Sequence, residues 1–281
     1  MPAKKQHPEV ICRRLPFAPG IEIVRGSHVT GSFSRHIHHT FIIGLVQAGQ
    51  RIINVSGETI AVSPGEFFLL NPGQVHVCRS QHATGHAYWI FSVETGTMGM
   101  VAARDPARAE SPSFQYVRYV DADLSALFHA CLALIELPVS DLEKQESLGF
   151  FLRTVMEKCA GQQAESHGTG EHGPAISRVC DFIGRNFSKE LSLEQLAGVA
   201  HLSPYYFQRT FVRIMGISAH EYLSHFRVRK AKELLLQGGE IADVALETGF
   251  FDQSHFSRVF QKTVGMTPGR YSRINRREVD K

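Results

Sequence analysis

The chain has 281 residues, 43% hydrophobic and 20% charged, an ordinary composition for a soluble globular protein with room for two domains. Its net charge of +3 is divided unevenly. Residues 1–171 hold 14 Lys and Arg against 16 Asp and Glu, a net of −2, and residues 172–281 hold 16 against 11, a net of +5, so a polyanion partner is expected for the second part only.

Five cysteines, Cys12, Cys78, Cys131, Cys159 and Cys180, are scattered and lack any C-x-x-C spacing. That pattern argues for reduced thiols in a cytoplasmic protein and against a disulfide framework or a zinc cluster. The N-terminus has no apolar stretch behind its lysines, which excludes a signal peptide. No run approaches 18 apolar residues, so no membrane span is expected.

From Ile21 to Val93 short β-rich runs alternate with Gly, Pro and Asn punctuation. The predicted strands are Ile21–Val24, Phe41–Gln47, Arg51–Val55, Thr59–Val62, Glu66–Leu70, Val75–Arg79 and His86–Val93. Strands this short and evenly spaced, with no helical period between them, predict a small barrel or sandwich. Helical segments follow over about 121–137 and 142–159. In the first, Leu124, Leu127, Phe128, Cys131, Leu132 and Ile135 form an amphipathic stripe.

Histidines carry whatever chemistry the strands offer. His36 and His38 share one strand face by the period-two rule, and His76 follows Asn71-Pro72-Gly73. This resembles the cupin pattern, in which a His-x-His and a later His after a proline-glycine turn meet inside a barrel. Gly65, Pro72, Gly73 and His76 fit its second motif loosely. The acidic ligand of that pattern is absent, with Phe41, Ile42 and Ile43 in its place, so neither metal nor cofactor is expected. The histidines then line a small-molecule pocket or serve structure. Trp89, on the following strand, is a further pocket candidate, although such residues belong more often to the core.

Residues 160–174 are rich in Gly, Gln and Ser and nearly devoid of apolar side chains, which predicts a flexible tether. The domains expected on either side are 1–159 and 175–281.

The second domain contains a repeat. Phe207, Arg209, Phe211 and Gly216 recur 49 residues later as Phe256, Arg258, Phe260 and Gly265, so one supersecondary unit is used twice. In the first copy Ser192 and Gln195 make a capping box that opens a short helix with Leu193, Leu196, Ala197 and Ala200 inward. Ser203 and Pro204 start the next helix. Phe207, Phe211 and Ile214 bury, leaving Tyr205, Gln208, Arg209 and Arg213 outside. In the second copy Ile241, Val244 and Ala245 form the short helix, Gly249 permits a tight turn and Asp252 caps the next helix. Gln253, Ser254, Ser257, Arg258 and Lys262 face out there. Arg and Gln on an exposed helix face can bond guanine and adenine edges in the major groove. Between the copies, His220–Gln237 reads as one helix of about 27 Å, a strut able to set two recognition helices about 34 Å apart, one turn of DNA.

At these residues the chain is similar to the AraC/XylS family of bacterial transcription regulators. The signature runs from Gly249-Phe250-Phe251-Asp252 to Met266-Thr267-Pro268, and the similarity spans about residues 176–273. The resemblance implies a two-domain α+β fold, with an N-terminal cupin-like β-barrel and helices and a C-terminal all-α double helix-turn-helix domain. It assigns base reading to Tyr205, Gln208 and Arg209 and to Gln253, Ser254 and Arg258. It also implies an effector-controlled regulator of promoter DNA, usually an activator, working as a homodimer with RNA polymerase as a further partner. Two other readings stand beside it: a metal-dependent cupin enzyme tethered to DNA, and an effector-independent DNA-binding protein.

Overall fold

Alternating apolar residues and regularly spaced turns produce an antiparallel β-structure in the first half of the chain. The computed structural model describes residues 9–31, 33–55, 57–102, 113–161 and 172–276. The chain divides into two compact units, one of residues 1–32 and 38–164 and one of residues 33–37 and 165–281. The strands are β1 (Glu9–Arg14), β2 (Ile21–Val29), β3 (Phe33–His36), β4 (Thr40–Ala48), β5 (Arg51–Val55), β6 (Glu58–Val62), β7 (Phe67–Leu70), β8 (His76–Ser80) and β9 (His86–Glu94). Helix α1 (Thr95–Ala102), β10 (Ser113–Phe114), β11 (Arg118–Tyr119), α2 (Ala122–Glu136), α3 (Asp141–Cys159) and β12 (Ala160–Gly161) follow. Strand β3 is hydrogen-bonded into a sheet of the first group and is described with it.

Two main sheets result, a six-stranded one ordered β1-β2-β9-β4-β7-β11 and a four-stranded one ordered β3-β8-β5-β6. The barrel expected from the sequence is thus two separate sheets, with no continuous hydrogen-bonded ring among the described residues. Phe41 to Val46 in β4 are all buried, because both faces of the larger sheet are covered. One face carries Phe41, Ile43, Leu45, Phe67, Leu69, Phe91 and Val93 against Leu124, Phe128 and Ile135 of α2 and Phe151 and Val155 of α3. Phe128 meets the rings of Phe67 and Phe91 edge-on at 5.7 and 5.1 Å. On the other face Gly44 leaves room for the Phe68 ring, which a Cβ at that position would strike.

Helix ends follow the sequence closely. Asp121 caps α2 by accepting from Leu124 N, and Ser140 and Glu143 complete a capping box at α3. Ala160 and Gly161, read from sequence as the start of the tether, pair instead with β10. Residues 162–171 lie outside the described residues.

The second unit is helical: α4 (Gly173–Asn186), α5 (Leu193–Ala200), α6 (Pro204–Met215), α7 (Ala219–Leu236), α8 (Ile241–Glu247), α9 (Gln253–Val264) and α10 (Pro268–Arg276). Helix α4 opens on Gly173 and Pro174, the last residues of the expected tether, and buries Ala175, Ile176, Val179 and Ile183. The strut α7 has the 18 residues expected. Its buried side includes Tyr222, Leu223, Phe226 and Leu235, whereas Leu234 is half-buried. Leu193, read as inward, is 36% exposed, because the first helical residue after the cap projects before the apolar stripe begins.

Arg227 of α7 is a buried cation satisfied by backbone. It donates from Nε to Phe187 O at 2.8 Å and from Nη2 to Lys189 O at 2.9 Å. The loop it holds, between α4 and α5, also meets Gly249 after α8. Gly249 has φ +82°, and a Cβ there would stand 2.6 Å from Ser188 O. Only glycine satisfies both the left-handed backbone and the close approach.

Candidate nucleic-acid interface and effector site

The first helix-turn-helix is α5 and α6. Ser192 and Gln195 form the capping box of α5, and His201, in the left-handed conformation at φ 57°, ends it. Ser203 then caps α6 by accepting from Tyr206 N, with Pro204 in the first turn. Phe207 and Phe211 are fully buried, their rings 5.5 Å apart, and Tyr222 of α7 closes over Phe211 at 5.9 Å. Ile214 is half-buried. The opposite face presents Tyr205 (71% exposed), Gln208, Arg209 and Arg213 to solvent. The Arg209 guanidinium sits 5.7 Å from the Tyr205 ring centroid, so the two side chains share one orientation.

The second is α8 and α9. Asp252 caps α9, accepting from His255 N at 2.6 Å. Phe256 and Phe260 are buried with rings 5.5 Å apart, and Tyr271 of α10 takes the place that Tyr222 holds in the first copy, at 5.6 Å from Phe260. Gln253, Ser254, Arg258 and Lys262 are exposed and Ser257 is half-buried. Among the described residues neither Arg209 nor Arg258 has a carboxylate partner, so both charges remain available to a polyanion.

The turns of the two copies differ. Leu202 N bonds Ala197 O in the first, and Phe250 N bonds Ala245 O in the second, an offset of 48 residues. The caps Ser203 and Asp252 are 49 apart. One residue, Phe251, is therefore extra in the second turn.

Between the two sheets of the first unit a polar chain runs through otherwise apolar surroundings. His36, His38 and His76 bring ring nitrogens within 4.8 Å of one another, although β3 ends at His36 and His38 stands just beyond it. His76 Nδ1 lies 2.9 Å from Gln74 O. A carbonyl can only accept, so Nδ1 is the donor here and Nε2 is the ring nitrogen left to face the other two histidines. These three imidazoles could hold one divalent transition metal and leave coordination positions open; no carboxylate belongs to the group. His76 neighbours Cys78, which neighbours Arg51. Arg51 is buried, with its guanidinium 4.7 Å from the Phe68 centroid and 4.4 Å from the Tyr88 centroid, and Nη1 donates to His86 Nε2 at 3.0 Å. Its Nε has no hydrogen-bond partner among the described residues. Burial and then the Arg51 charge push His86 down to about 4. Burial would raise the Cys78 thiol, but Arg51 and then His76 outweigh it and hold the group at about 7.

Trp89 is not part of this chain. It lies on the β9 face of Phe91 and Val93, packed against the helix-covered core, with Arg25 stacked 5.3 Å over it. Period two separates it from Tyr88 and Ile90 on the inter-sheet face.

Comparison with known proteins agrees with both units. Residues 18–152 match the AraC-like ligand binding domain and residues 196–274 match a helix-turn-helix domain. The chain belongs to the AraC/XylS family of transcription regulators. It is 26% identical over 235 residues to YbfI, an uncharacterized HTH-type transcriptional regulator of Bacillus subtilis, covering 84% of this chain and 85% of YbfI. It is 36% identical over 104 residues to the bifunctional transcriptional activator/DNA repair enzyme AdaA of the same organism, covering 37% of this chain and 49% of AdaA. Thus it spans most of one relative and about half of the other. In fold it is similar to ToxT of Vibrio cholerae, solved without ligand and with a bound unsaturated fatty acid. Each has a TM-score of 0.58, at 10% and 11% identity, and covers 91% of this chain and 97% and 95% of ToxT.

As an AraC-type regulator the chain couples a ligand-binding unit to a double helix-turn-helix DNA-binding unit. Among the described residues no helix is long and apolar enough to cross a membrane. Sequence reading missed Arg51 and Cys78 in the ligand-binding unit. The signal was present, since Arg51 shares parity with the inward Ile53 and Val55 while Asn54 points out.

Proposed function

We propose that this regulator binds promoter operators as a homodimer and reads bases through Tyr205, Gln208 and Arg209 of α6 and through Gln253, Ser254 and Arg258 of α9. Arg213, Ser257 and Lys262, farther along the same helices, suit phosphate and register contacts. The carrying observation is that two capped helices present an exposed, unpaired arginine at equivalent positions, Arg209 and Arg258. Exposed hydrogen-bond donors on two capped helices fit a DNA-reading regulator, and contact with RNA polymerase would make it an activator. Selection of duplexes from a randomised pool by the full chain tests this. Two unlike half-sites about one helical turn apart are expected. Recovery of unrelated sequences would refute base reading.

The effector is assigned to the inter-sheet interior, lined by His36, His38 and His76. ToxT has been solved with a fatty acid. In the present chain the buried Arg51, with a donor to spare and no carboxylate beside it, supports an effector carrying an anionic group. Such a ligand controls DNA binding only as far as it prefers one state of the protein. Thermal-shift measurements with a library of small carboxylates should give a hit that is lost in His76→Ala and Arg51→Met; response to neutral compounds alone would remove Arg51 from the reading. The converging imidazoles favour one variant, in which a divalent metal completes the pocket. Elemental analysis of purified protein decides it, since stoichiometric metal lost on His76→Ala is required.

The polar stretch between Gly161 and Gly173, too poor in apolar residues to pack, is proposed as the tether between the two domains. A fragment of residues 172–281 should bind the selected DNA without effector, as its core is self-contained. Loss of footprinting by the fragment would give the first unit a part in DNA binding.

A further inference from the structure

Phe251 is 89% exposed, the most exposed of the large apolar side chains among the described residues. An aromatic residue beside a helix start often serves as the staple that packs on the first turn. Here Phe250 has that role: it is buried, and its ring lies 5.2 Å from Phe256 and 5.5 Å from His255. Phe251 is also the residue by which the second turn exceeds the first. The backbone bond of Leu202 is matched by that of Phe250, and the cap Ser203 by Asp252, so the first copy has no counterpart for it. Neither packing nor turn closure accounts for a phenyl ring at this position.

Its place in the unit does. Phe251 directly precedes the cap of α9, next to the exposed Gln253 and Ser254 at the helix N-terminus. That end of a recognition helix is the part that meets base edges. Within a major groove most exposed groups are hydrogen-bond donors and acceptors, which a phenyl ring cannot satisfy. The apolar exception is the C5-methyl of thymine, which apolar side chains contact. We propose that Phe251 reads a thymine methyl in the half-site bound by the second helix-turn-helix, and so determines specificity there. This rests on the assignment of α9 to base reading. It predicts an asymmetric operator, because the exposed aromatic of the first copy, Tyr205, sits within α6 and carries a hydroxyl that can also hydrogen-bond.

The test uses the full chain and duplexes it selects from a randomised pool. Each thymine of the consensus is replaced singly by uracil, which removes the methyl and leaves the pairing edge intact. Affinity is then measured by fluorescence anisotropy at fixed salt. For the native chain, uracil at one or two positions of one half-site should weaken binding about four-fold, the worth of one buried methyl group. Phe251→Ala should bind the thymine duplex correspondingly more weakly and lose the uracil effect at those positions. Phe251→Leu should keep it, and Arg258→Ala should weaken binding while leaving it in place. An unchanged uracil profile in Phe251→Ala, or no sensitive thymine at all, overturns the proposal and leaves Phe251 to a protein partner. A pool that yields no consensus would instead overturn base reading by α9 itself, and the proposal with it.

Discussion

The two helix-turn-helix units share a plan and solve its weak point, the turn, in different ways. In the first, the left-handed residue is His201, two positions before the cap, and a side chain there is tolerated in the open. In the second it is Gly249, three positions before the cap and pressed on the backbone of Ser188. Arg227 holds the same loop from α7 through Phe187 O and Lys189 O. Both copies pack an aromatic face beneath a tyrosine, Phe207 and Phe211 under Tyr222 and Phe256 and Phe260 under Tyr271; the second is fastened to the rest of its domain through its turn as well. A repeat can thus keep its recognition helices in register while its turns diverge in length, strain and attachment.

Breaking the second turn should have the largest effect. Gly249→Ala places a Cβ 2.6 Å from Ser188 O and forces alanine into φ +82°, a loss of about 3 kcal/mol of stability. Urea denaturation of the full chain, followed by tryptophan-independent circular dichroism of the helical signal, should show the midpoint fall; an unchanged midpoint would mean that the α4–α5 loop moves aside freely. Next come the arginines. Arg209→Ala and Arg258→Ala should each cost about 2 kcal/mol of operator affinity and relax base preference in different half-sites. Equal losses on specific and random DNA would make either residue a phosphate contact. The caps are smaller: Ser203→Ala and Asp252→Ala should each remove about 1 kcal/mol of stability.

Periodicity, caps and breakers made most of this fold legible. The cap at Asp252 stands where the pattern put it, the seven strands expected from Ile21 to Val93 are present with β2 running on to Val29, and the 18-residue strut is displaced by one residue. What escaped were features set by tertiary pairing. Strands β1 and β3 are short segments that only their partners define, and α4 begins in a stretch whose composition reads as linker. Trp89 shares parity with Phe91 and packs against the helix-covered core, the commoner of the two roles its chemistry allows. Arg51 went unnoticed because a buried cation is the exception among inward positions. The exposed faces of α6 and α9 are legible because their helices are strongly amphipathic; the one-residue shift at Phe251 lies outside the 49-residue register that begins at Phe207.

The smallest expected effect sharpens the contrast between the turns most directly. His201 pays a steric penalty at φ 57° that glycine would relieve, by about 1 kcal/mol. Glycine in turn loses more entropy on folding, by a similar amount. His201→Gly should therefore leave stability within about 0.5 kcal/mol of the native chain, in the same denaturation experiment that registers Gly249→Ala as a large loss. A loss of 2 kcal/mol or more would show that the imidazole itself anchors the first turn, and the two turns would then be equally committed to their side chains. A null result together with the Gly249 loss would establish that positive φ alone is cheap here, and that the close approach to Ser188 is what ties the second unit to its domain.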